Sequence, residues 1–217
     1  MLAAFLLEAE LMLAFTTHDI LAIAVVASFA SGLNVYATVA TLGLLARFHA
    51  FQLPPSLGLL DSWPVIIVAA LLFGLGFFAD KIPVFDLIWN ALHTFVRVPV
   101  AALLSFGAAQ HLSPGAQVAA SVLGGLIALA AHSGKIAVRA AVTPSPEPLS
   151  NMALSFGEDV AAISLTWFAT RHPVLASVIV AICLLLIVLT VRYVIRSLRR
   201  LFQQARSHLH PAAERLT

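Results

Sequence analysis

The chain has 217 residues, of which 61% are hydrophobic and only 10% charged, with 12 Lys and Arg against 10 Asp and Glu. A soluble domain carries roughly 25% charged residues, so a water-soluble globule is excluded. A mean hydropathy of +0.99, spread along the chain, points instead to a multi-pass membrane protein. The pI near 9.1 is no sign of nucleic acid binding, because Arg192, Arg196, Arg199, Arg200, Arg206 and Arg215 crowd the final stretch and read as a topological anchor. Cys183 is the single cysteine and lies in an apolar run, which excludes disulfide frameworks and cysteine-based zinc sites.

Three regions are expected: an apolar interfacial helix over 1–18, a transmembrane bundle over 19–197 and a basic tail over 198–217. The first carries Glu8 and Glu10 with no basic leader, and is shorter than the roughly 20 residues a crossing needs. From Ile20 to Phe48 the chain is apolar enough to span, but Ser31-Gly32-Leu33-Asn34-Val35-Tyr36 interrupts it. Gly and Asn at mid-bilayer depth predict a bent or broken helix there. A connector with Pro and Gly (52–64) leads to a second span, Val65 to Ala79, closed by Asp80-Lys81-Ile82-Pro83.

A third span is predicted from Asp86 to Gln110 and a fourth from Gly115 to Val142. Thr143-Pro144-Ser145-Pro146-Glu147-Pro148 follows as a connector that cannot be helical throughout. Asn151 to Thr170 and Val174 to Val194 are the fifth and sixth. The expected fold is therefore all-α, a bundle of about six transmembrane helices with both termini on the cytoplasmic side. Lys81-Ile82-x-Val84 and Lys135-Ile136-x-Val138 recur 54 residues apart, which suggests a tandem repeat of helical hairpins.

Chemistry gathers on four faces. Asp86, Asn90, His93 and Arg97 fall at i, i+4, i+7 and i+11 of the third span, within a sector of roughly 60° at 100° per residue. Such a stripe cannot face lipid. The fourth span aligns Ser121, Gly125, Ala128, His132, Lys135 and Arg139, the fifth aligns Asn151, Ser155 and Glu158 beside Asp159, and the first carries Ser31, Asn34, Thr38 and Thr41. Asp80, Asp86, Glu158 and Asp159 balance Lys81, Arg97, Lys135 and Arg139. An isolated charge at the bilayer centre costs roughly 2.5 to 3.5 kcal/mol on insertion scales, so balanced charges on converging faces predict paired ions around a polar interior.

The candidate ion- or solute-binding set is thus Asn34, Tyr36, Asp86, Asn90, His93, Arg97, Lys135, Arg139, Asn151, Glu158 and Asp159. Glu158 and Asp159 would accept the ion or proton, with the bases as counter-charges and Asn34 and Tyr36 contributing ligands at the helix break. The blander reading is that the same pairs only fix helix register. No phosphate-cradling Gly-x-x-x-x-Gly-Lys, His-Glu-x-x-His or Gly-x-Ser-x-Gly is present, no cofactor is implied, and the two histidines of the tail make no metal site.

Two other readings stand beside transport: an enzyme acting on lipid through Asp80 and Asp86, and an assembly factor docking partners through Gly124-Gly125. Expected partners are the bilayer itself, anionic head groups at Arg192, Arg196, Arg199 and Arg200, a small ion or solute, and a second copy of the chain.

Ser31-Gly32-x-Asn34-x-Tyr36, Asp80-Lys81-x-Pro83-x-x-Asp86 with Trp89, Lys135-x-x-x-Arg139, the Pro-rich connector ending in Ser150-Asn151, and Glu158-Asp159 together form a pattern. It resembles the bacterial multi-pass membrane proteins grouped as domain of unknown function 4126. The resemblance covers Ile20 to Leu198 and implies a helical bundle of the bacterial inner membrane. It implies no assigned activity and no catalytic residue.

Overall fold

The computed structural model describes residues 17–79, 83–142 and 148–213. The expected interfacial helix, Asp80 and Lys81, and most of the Pro-rich connector lie outside the described residues, as does the Lys81 half of the suggested repeat. Six α-helices follow in order: α1 (Thr17–Arg47), α2 (Trp63–Ala79), α3 (Pro83–Ala108), α4 (Pro114–Val142), α5 (Pro148–Arg171) and α6 (Pro173–Ala213). A short 3-10 helix, Pro55–Asp61, precedes α2. Among the described residues there is no strand, so the fold is all-α as expected. Proline opens α3, α4, α5 and α6, where its missing N–H would be unsatisfied in any case.

The fold turns on α1. The expected break is present at Asn34, whose φ of −150° and ψ of 103° leave the helical region. A straight helix would separate Ala27 from Leu42 by about 22 Å, yet both belong to one buried cluster with Leu104 and line one cavity with Ile20 and Phe51. The chain therefore doubles back at Asn34, and α1 is a helical hairpin. Its arms, α1a (17–33) and α1b (35–47), have roughly 17 and 13 residues, each short of the roughly 20 a crossing requires.

Neighbouring contacts follow the same path. Ser28 hydrogen-bonds Ser105 on the way up (Oγ to Oγ, 2.8 Å), the tip reaches Asp159, Tyr36 meets His93, and Leu42 returns to Leu104. The segment read from sequence as the first crossing thus enters and leaves at one end of the bundle. Thr17 sits at the end where α3 and α5 finish, and the C-terminal half of α6 sits at the other. The described chain thus begins and finishes at opposite ends of the bundle, where six crossings would have brought it back to the same one, a departure in the path between residues 17 and 213. Hydropathy counts apolar residues and has no term for a reversal of direction, which is why the departure was invisible to it.

By length and apolarity alone, His18–Arg47, Pro114–Val138 and Pro173–Ser197 suit a membrane, and the 3-10 helix with α2, bent by 62°, makes a fourth candidate. In α3 the described stretch Leu92–Ala108 is apolar as well. Burial separates these segments: 61% of the α1 window is buried, against 11% of the α6 window. The hairpin is the axis and the other helices are staves around it. Phe95, Leu71, Leu103 and Leu186 are each more than half exposed, an apolar exterior that only acyl chains can solvate.

Small residues let the axis seat. A Cβ on Gly32 would lie 2.5 Å from the Ala128 carbonyl oxygen, and one on Gly124 would collide with the Ser105 side chain. Lipid offers no hydrophobic drive to bring helices together, so close backbone approach must supply the attraction by dispersion. Gly124 and Gly125 are both buried against the chain's own helices. The glycine pair expected to present a docking face is consumed inside the bundle.

Candidate functional site

At the tip of the hairpin Asn34 performs two tasks with one side chain. Its Oδ1 accepts hydrogen bonds from the backbone N–H of Tyr36 and of Ala37, each 3.1 Å, and so caps the N-terminus of α1b. Its Nδ2 donates to Asp159 Oδ1 at 2.8 Å. Thr38 Oγ1 donates back to the Asn34 carbonyl one turn earlier, at 2.9 Å. Asn suits this position because it carries an acceptor for the cap and a donor for the carboxylate at once. Asp159, 5% exposed, thereby sits one side chain away from the positive end of the α1b dipole.

Glu158 and Asp159 are adjacent on α5, so their side chains diverge by about 100° and serve different neighbours. Glu158 pairs with Lys135 of α4 at 2.6 Å, with side chains 14% and 3% exposed. One turn earlier on the same face of α4 is His132, 2% exposed. Arg97 Nη1 donates to His132 Nδ1 at 2.8 Å, and Thr94 Oγ1 lies 2.8 Å from Nε2. Arginine can only donate, so Nδ1 is the acceptor and the ring proton is on Nε2, donated to Thr94. His93, on the same helix as Arg97 and 6% exposed, meets Tyr36 edge to face at 5.3 Å.

Seven of the predicted residues therefore gather around the hairpin tip: Asn34, Tyr36, His93, Arg97, Lys135, Glu158 and Asp159. Two acids and two bases among them cancel. The break at Asn34 brings Tyr36 against His93 on the polar face of α3. The side chains of Asp86, Asn90, Arg139 and Asn151 lie outside the described residues. Two participants were not chosen from sequence, His132 and Thr94. His132 stood on the α4 face with Lys135, but its partnership with Arg97 spans 35 positions on two helices and has no sequence signature. Among the described residues no cluster of three His, Cys, Asp or Glu has the arrangement to hold a metal ion.

These features define a class: an all-helical membrane protein whose axial helical hairpin carries a polar centre of paired charges within an apolar shell. A family model described as "Domain of unknown function (DUF4126)" matches residues 21–193, and the chain belongs to that family. No curated protein matches the chain. No solved structure matches it.

Proposed function

We propose that the chain is a small membrane transport protein that passes an ion or small polar solute through the polar centre at the hairpin tip. The observation that carries this reading is the Asn34–Asp159 contact beside the Lys135–Glu158 pair. A helix interrupted at membrane depth has exposed backbone poles, and transporters use such interruptions to bind charged cargo. A bundle needing only register would be served by apolar packing, since buried ion pairs contribute little net stability against their desolvation cost.

In this reading α2 to α6 each cross, giving five crossings, and the hairpin enters from the side opposite the tail. Arg192, Arg196, Arg199 and Arg200 lie toward one end, against Arg47 and Arg171 at the other, so the positive-inside rule puts the tail in the cytoplasm of a bacterial inner membrane. The four tail-end arginines are exposed on α6 and would rest against anionic head groups.

The test is flux in proteoliposomes reconstituted with purified chain and loaded in turn with protons, alkali cations, halides and small zwitterions. One of these should move above empty vesicles, and Glu158→Gln and Asn34→Ala should each abolish the movement while the protein remains monodisperse. Flux by none of them, or equal flux by both variants, would remove the proposal.

A further inference from the structure

At the root of the hairpin the first arm, Leu42 of the second, the 51–57 segment and the end of α3 line a half-open cavity of about 190 Å³. Its wall is aliphatic, with Ile23, Ala24, Ala27, Leu42 and Leu104 each under 9% exposed. Its rim is polar: Gln52 and His111 line it from exposed positions, and the Gln110 amide nitrogen lies 3.1 Å from His111 Nε2. An aliphatic cavity of about 150 Å³ in a protein core stays dry and takes a six-carbon ring, so this one has room for roughly seven or eight carbons. The aliphatic inner wall offers water few partners, and the exterior of this bundle is apolar.

We infer that the cavity is a lipid site. The end of one acyl chain of a bilayer phospholipid lies in it, with its polar portion at Gln52 and His111. The inference stands apart from transport, because the cavity is at the root of the hairpin and the charged centre at its tip.

The test uses the full chain in phosphatidylethanolamine vesicles containing a phospholipid with a diazirine near the end of one acyl chain. After photolysis, the labelled residues are mapped by mass spectrometry. Leu185 and Leu186 on the exposed face of α6 are labelled by bulk lipid and calibrate the experiment. Label at Ile23 to Ala27, Leu42 or Leu104, which bulk lipid cannot reach, is the expected result. Ala27→Phe should remove the interior label and keep that on α6. Leu104→Ala, which enlarges the space, should raise the interior label and decides the matter should the Phe variant not fold. Label confined to the exterior, interior label indifferent to both substitutions, or interior label from a free diazirine fatty acid but not from the phospholipid would overturn the site.

Discussion

The two ends of the hairpin share the same chain and the same neighbours, yet are built from opposite materials. At the tip Asn34 bonds Asp159, Lys135 bonds Glu158 and Arg97 bonds His132, each at 2.6 to 2.8 Å. At the root Ala24, Ala27, Leu42 and Leu104 form an apolar wall, with the polar Gln52 and His111 only at its rim. A polar group at membrane depth must be partnered and an apolar wall need not be. Errors should therefore be costly at the tip and mild at the periphery, and that ordering can be tested.

The largest effect is expected from Lys135→Ala, which leaves Glu158 charged and nearly enclosed. Removing one partner of a buried pair destabilises by about 3 to 5 kcal/mol, readable as a lowered midpoint of thermal unfolding in detergent. Replacing both partners, Lys135→Met with Glu158→Leu, should restore most of that stability while flux stays lost. If the double variant transports, the pair is only a fastener.

Gly32→Val comes next. Its added Cβ meets a backbone oxygen of α4, which has nowhere to move, and overpacking of this kind costs about 1 to 3 kcal/mol. Gly58→Ala, at a position with open space around it, should be silent in the same assay and provides the contrast.

Asn34→Ala removes the cap of α1b together with the link to Asp159, for about 1 to 2 kcal/mol. Asn34→Ser keeps an acceptor for the cap and gives up the reach to Asp159. It should recover stability and not flux, and recovery of both would mean that only the cap matters. Smallest of all, Leu186→Ala on the exposed face of α6 should fall within about 0.5 kcal/mol of the parent, a bound that the same thermal midpoint checks.

Sequence made some of this legible and hid the rest for identifiable reasons. The helix class follows from apolar length, and the break near Asn34 from a polar, turn-favouring residue at a depth where lipid tolerates none. The polar faces of α3, α4 and α5 follow from spacing, because i, i+4 and i+7 share a side in any helix. The reversal at Asn34 was hidden because a kink and a hairpin begin with the same residues and differ only in what the two arms then pack against. His132 escaped because its role depends on Arg97 of another helix. The outward or inward facing of Gly124-Gly125 is decided by what lies opposite, Ser28 and Ser105 at the first and Val98 and Ala102 at the second.

The central claim is that α1 turns back on itself and delivers Asn34 to the charged centre. Spin labels at His18 and Phe48, both exposed, introduced with Cys183→Ala and read by pulsed dipolar spectroscopy in vesicles, test it directly. A hairpin places the two sites about 10 to 20 Å apart, given packed-helix separations. A single helix crossing the membrane would hold them about 45 Å apart at 1.5 Å per residue, and a distance near that value would contradict the account.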